Sequence, residues 1–168
     1  VENASQAETV DVPDPGNLAF VTQTTLSVDD TSEIIEILQR RFPSIEAPRK
    51  EDICYATTNR QAAVKSLADE CEAMIVLGAP NSSNSNRLAE VALTIGCPKS
   101  ALIQRVAEME DGWLDGVSTL GVTAGASAPE ILVQELIDTL SEEFAVTVEE
   151  RNIIDENVTF SLPRALSA

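Results

Sequence analysis

Of the three cysteines in the chain, Cys54 alone lies where a thiol could react or bind a metal. It sits in a polar stretch, residues 51–61, just ahead of Thr57, Thr58 and Asn59 and off any apolar stripe. A thiol packed in a core is inert, whereas chemistry at cysteine belongs to accessible, polar surroundings. Three further stretches share its pattern of a polar loop running into a helix start. They are residues 22–27, with Thr24 and Ser27, residues 81–86, an unbroken run of Asn and Ser, and residues 123–129, with Ser127 and Pro129. A helix N-terminus carries about half a positive charge and several unpaired N–H groups, which suits an anion. Ser, Thr and Asn add neutral donors without changing the net charge. The four stretches read together as one composite site for a phosphate or diphosphate, with Cys54 as its reactive or metal-binding corner.

Each stretch has a plainer explanation to overcome. Ser27 with Asp30, and Ser127 with Glu130 behind a tolerated Pro129, both fit helix capping, and capping alone accounts for either. The run from Asn81 to Asn86 differs, because one cap needs one such residue and six exceed that need. Cys71 falls on the apolar face of a helical stripe and belongs to the core. Cys97 follows Gly96, meets Pro98 and is assigned no role.

The elements that position these residues follow from periodicity. Residues 18–22 and 73–77 are short apolar runs that read as buried strands, as do residues 100–103 and 118–122. Helical stripes carry Ile34, Ile35, Leu38 and Phe42, then Ala63, Val64, Leu67 and Ala68, then Leu88, Val91, Ala92 and Ile95, and last Val133, Leu136, Ile137 and Leu140. Pro43 stops the first of these helices and Gly96 closes the third. Residues 108–114 suggest a short acidic helix around Trp113. Residues 1–16 read as a surface segment, residues 45–50 as a crossing between two lobes, and residues 146–148 and 158–162 as β-like. Strands alternating with helices at this spacing specify an α/β fold on a parallel sheet, with the anion loops at the carboxyl ends of the strands.

Composition narrows the function. The chain has 168 residues, 43% of them hydrophobic, enough for the core of one ordinary domain. A net charge of −17 argues against nucleic acid or a membrane surface as partner, since both call for Lys and Arg. The sequence contains no histidine, which excludes a Ser-His-Asp or Cys-His triad within it. Three unpaired cysteines fit a reducing cytoplasm. No apolar run approaches the ~20 residues that span a bilayer. Residues 1–5 lack the basic and apolar regions of a signal peptide, and the missing initial methionine suggests a fragment or a processed product.

Taken as written, residues 21–31, 52–61, 81–88 and 121–129, together with the closing residues 157–163, resemble the LytB/IspH family of 4-hydroxy-3-methylbut-2-enyl diphosphate reductases. The stretches are long, in order and correctly spaced, and the resemblance covers nearly the whole chain. It implies an iron–sulfur oxidoreductase of isoprenoid biosynthesis by the non-mevalonate pathway, built from three α/β lobes. Such an enzyme removes the hydroxyl of an allylic diphosphate with two electrons and protons, yielding isopentenyl and dimethylallyl diphosphates. By the same resemblance, Cys54 is the third cysteine ligand of a 4Fe-4S cluster whose fourth iron takes the substrate hydroxyl. Ser82, Ser83, Asn84 and Ser127 bind the diphosphate, Thr24 delivers a proton beside the substrate hydroxyl, and Thr57 lines the same cavity. A ferredoxin or flavodoxin is the implied electron donor.

The family's other two cysteine ligands, its diphosphate-clasping histidines and its acid glutamate have no counterpart in this sequence. The expected layout is therefore a C-terminal half. Residues 1–47 would end the second lobe, residues 48–144 would form the third, and residues 145–168 would form a tail. The isolated chain is expected to be inactive. The competing reading is a non-catalytic phosphate- or diphosphate-binding α/β module in which Cys54 is incidental.

Overall fold

A computed structural model describes residues 1–49 and 52–154, and its centre is β1, Ala73–Leu77. Every residue of this run of five apolar side chains is fully buried, as a strand covered on both faces requires. It pairs in parallel with β2, Ser100–Ile103, and with β3, Leu120–Ala124, in the order β2-β1-β3. Leu77 lies opposite Ile103 on one side and Ala124 on the other, so the three carboxyl ends are level.

Alternation along β1 distributes the core. Met74 and Val76 face a layer made by α3 (Tyr55–Ala68) and α4 (Ser83–Ile95), where they meet Val64, Ala68, Leu88, Val91 and Ala92. Ile75 and Leu77 face α5, Ile131–Glu143, through Leu136 and Leu140. The result is the expected α/β sandwich with helices on both faces of a parallel sheet. Gly96 ends α4 at φ 117°, in the left-handed region that a side chain would strain.

N-terminal to the sheet, α1 (Ala4–Thr9) packs on α2 (Val28–Arg41). Residues 1–16 thus hold a helix where a plain surface segment is expected. Asn3 caps it by accepting from Gln6 N–H, and Ala7 is fully buried. The Arg41 guanidinium bonds the Ala7 and Val10 carbonyls and so ties α1 to the end of α2.

Four expectations need correction. Residues 18–22 form no ladder, only an isolated parallel bridge from Ala19 to Glu46, and Val21 is 83% exposed. Its apolar run lacks neighbouring strands among the described residues. Residues 108–114 are not a helix. A 3-10 turn at Val106–Glu108 gives way to successive turns, with Gly112 and Gly116 at positive φ. The third strand starts at Leu120, two residues later than its composition suggests, because the Glu72 carboxylate takes the N–H groups of Ser118 and Thr119. Residues 146–148 make no strand, and residues 158–162 lie outside the described residues. Among the described residues, no helix is long and apolar enough to cross a membrane.

Candidate anion site and cysteine corner

Six residues of Asn and Ser follow β1, and the chain turns there into α4. Ser82 is the N-cap, accepting from Ser85 N–H at 3.3 Å, which satisfies one of the helix's orphan donors. Ser83, the first helical residue, is exposed. Asn84 is only 7% exposed, yet neither polar atom of its amide has a hydrogen-bond partner. An unpaired buried amide costs about 1–3 kcal/mol, so a native structure keeps one for a reason.

The neighbouring turn, residues 125–129, lies against the same helix start. Gly125 N–H donates to Leu77 O at 2.8 Å, and Gly78 N–H to Ile103 O at 2.9 Å, which places both glycines at the carboxyl edge of the sheet. A Cβ on Gly78 would stand 2.2 Å from Ser85 Oγ and one on Gly125 2.1 Å from it. Both positions must therefore be glycine for α4 to approach. Ser127 is exposed in this turn and does not cap α5. The helix begins at Ile131 with Glu130 in the N-cap position and no side-chain cap bond. Its first donors are taken instead by Pro129 O and Glu130 O, at 3.1 and 3.0 Å. The capping explanation thus fails for Ser127 and holds for Ser27, which accepts from Asp30 N–H at 3.2 Å.

Cys54 and Thr24 meet at a second corner. Cys54 is the N-cap of α3, in extended conformation and exposed, and its side chain makes no capping bond. Its N–H donates to Thr24 O at 3.1 Å, so residues 30 apart become neighbours. Thr24 is exposed, while Thr57, in the first turn of α3, is 3% exposed. Cys71 and Cys97 are buried, as core cysteines should be. Burial pushes the Cys71 thiol upward, with Cys97 and Glu70 adding to the effect, so it stays protonated as a core thiol. Among the described residues no group of three or more His, Cys, Asp or Glu could hold a metal ion.

Two residues that composition does not single out hold the Thr24 corner together. The Asp52 carboxylate accepts from Thr22 N–H at 2.8 Å. Gln61, 1% exposed, accepts from Val28 N–H at 3.0 Å and donates to Leu26 O at 2.8 Å. The signal in the sequence is a glutamine on the helical stripe of Val64 and Ala68, since a polar group there must find partners. The two corners are joined by α3 packing on α4, and Arg87 of α4 lies 3.8 Å from Asp30 in the first turn of α2.

A family model described as LytB protein matches residues 1–141. The chain belongs to the LytB family. A relative from Bradyrhizobium diazoefficiens, named 4-hydroxy-3-methylbut-2-enyl diphosphate reductase 1, is 55% identical over 98% of this chain and 51% of its own length. A relative from Phenylobacterium zucineum, named 4-hydroxy-3-methylbut-2-enyl diphosphate reductase, is 56% identical over 99% of the chain and 53% of its own length. The solved structure of E-1-hydroxy-2-methyl-but-2-enyl-4-diphosphate reductase from Plasmodium falciparum superimposes with a TM-score of 0.89 at 32% identity, covering 98% of this chain and 52% of that one. The chain spans about half the length of the LytB relatives it matches.

Proposed function

We propose that the whole protein is a 4-hydroxy-3-methylbut-2-enyl diphosphate reductase and that this chain contributes its diphosphate loop and one cluster ligand. The observation that carries the reading is Asn84, a buried amide with no partner at the start of a helix on the carboxyl edge of a parallel sheet. A diphosphate oxygen there would accept from its Nδ2 donor. Ser82 and Ser83 begin the same helix, Ser127 follows two residues after Gly125, which packs against that helix, and α4 adds its N-terminal dipole. Neutral donors suit a protein of net charge −17, because they bind an anion without a basic field.

Cys54 fits a place in a 4Fe-4S cluster: it is exposed at the N-cap of α3 and its side chain makes no capping bond. One thiolate is not a complete set, and the other ligands would come from outside this chain. When bound, such a cluster would supply two electrons and a Lewis-acidic iron for the substrate hydroxyl. Thr24, exposed and joined through its carbonyl to Cys54 N–H, would pass a proton toward the departing hydroxyl. With two electrons and two protons the allylic C–O bond breaks, water leaves, and the diphosphate is unchanged. Thr57 backs the corner from the first turn of α3. A ferredoxin or flavodoxin in a reducing cytoplasm would deliver the electrons.

In this reading residues 1–47 complete the second of three lobes, residues 48–144 form the third, and residues 145–168 are a tail. α1 packs on α2, while the sheet packs on its own helices α3, α4 and α5, and this supports that division. The test is anaerobic turnover by the full-length protein, wild type beside Cys54→Ser. Activity should fall by more than a hundredfold with loss of the cluster's visible absorption, and the isolated chain should not turn over. Unchanged turnover in the serine variant would reject Cys54 as ligand. A variant that keeps its cluster and binds pyrophosphate, beside a wild type that never reduces the substrate, would favour the binding module.

A further inference from the structure

We propose that Ser85 is a positioning residue of the anion site: it occupies both lone pairs of the Ser82 hydroxyl, leaving Ser82 only its proton to offer to a diphosphate oxygen. The inference rests on the reading of residues 82–84 as the diphosphate loop.

Ser82 Oγ receives two bonds from one residue, the Ser85 N–H at 3.3 Å and the Ser85 O–H at 3.0 Å. The first is the ordinary cap. The second adds nothing to capping, since helix donors are backbone N–H groups. A serine hydroxyl has one proton and two acceptor lone pairs. With both lone pairs filled, Ser82 can act toward a ligand only as a donor, which selects an anion over a cation or a neutral donor group. Donation into Ser82 also polarises its O–H, strengthening the bond it makes in turn.

The surroundings fix Ser85 for this task. It is 1% exposed, and its Oγ lies between the backbones of Gly78 and Gly125, where a Cβ on either would stand 2.2 or 2.1 Å away. The hydroxyl is thus enclosed against the ends of two strands. The carboxyl ends of the two adjacent strands are shaped around a single oxygen atom, and that oxygen touches the candidate ligand group.

A simple packing role predicts something different, so the test is a double-mutant cycle on the full-length protein. Binding of inorganic pyrophosphate is measured by calorimetry for wild type, Ser85→Ala, Ser82→Ala and the double variant, with melting temperatures to check folding. Ser85→Ala should weaken pyrophosphate about fivefold, and it should have no further effect once Ser82 is alanine. Gly125→Ala, which displaces Ser85 Oγ without touching Ser82, should give a similar loss that also vanishes in the Ser82→Ala background. Wild-type affinity in Ser85→Ala, or an equal loss with and without Ser82, would overturn the positioning role while leaving the diphosphate loop intact. A wild type that binds no pyrophosphate would overturn the loop reading itself, and this inference with it.

Discussion

The two corners of the candidate site are built in opposite ways. At the start of α4, most parts come from a short stretch of chain: β1 ends just before Gly78, the polar run turns, and the helix begins, with Gly125 added from the end of β3. At Cys54, the parts are far apart in sequence and are stitched by side chains reaching to backbone, from Asp52 to Thr22 and from Gln61 to Leu26 and Val28. The first corner is as rigid as the sheet beneath it. The second is as rigid as three or four hydrogen bonds on a segment that belongs to no ladder. An anion-binding element tolerates the first construction because its donors are adjacent. On the proposed reading, the Cys54 corner must bring a threonine to a thiol from another segment and so needs the second.

Substitutions can break each corner separately. Gly125→Val should have the largest effect, because its Cβ would overlap Ser85 Oγ and stand 3.3 Å from Ser85 Cβ. We expect a loss of about 3 kcal/mol of stability and loss of pyrophosphate binding, measured by urea unfolding and calorimetry. Gln61→Leu comes next. It leaves Val28 N–H and Leu26 O without partners and should cost about 2 kcal/mol. Hydrogen exchange at Val28 should quicken while the α4 amides stay protected; equal changes at both corners would contradict their independence.

Asn84→Leu sharpens the contrast in the other direction. Removing a buried amide that has no partner should stabilise the protein by about 1 kcal/mol and weaken pyrophosphate at least tenfold. A destabilised variant would mean that Asn84 is a structural group after all. The smallest effect belongs to Glu72, away from both corners. Backbone N–H groups of Ser118 and Thr119 hold its carboxyl below the usual range, aided by Lys99 and opposed by slight burial. A lowered folded pKa stabilises above the unfolded value, and that contribution is lost as acid protonates the folded carboxylate. Glu72→Gln should therefore flatten the fall in stability below the ordinary glutamate range and leave neutral pyrophosphate binding unchanged.

How much of this could be read beforehand differs by element. The strand at Ala73–Leu77 and the helices ending at Arg41 and Ile95 are legible because their signals are local: an apolar run, a 3.6-residue stripe, a proline or glycine stop. Residues 18–22 carry the same apolar signal and make only one bridge, because strand formation also needs a neighbour. Residues 108–114 carry acidic helix formers, yet Gly112 at φ 75° turns the chain. Ser27 and Ser127 are indistinguishable as caps in sequence; only the first caps, since Pro129 and Glu130 carbonyls already serve the start of α5.

By itself the sequence determined the alternation that makes an α/β fold, the Asn–Ser run at a helix start, and a cysteine kept out of the core. Those depend on the order of side chains along a few turns, where periodicity and capping act. Tertiary structure alone decided that Gln61 and Asp52 would close the Cys54 corner and that Ser85 would sit between two glycines. Such contacts join residues as far as 35 positions apart, or pack side chains over two strands at once. Their energies exist only after the sheet and helices have come together, so a local pattern can mark a residue such as Gln61 but not name its partners.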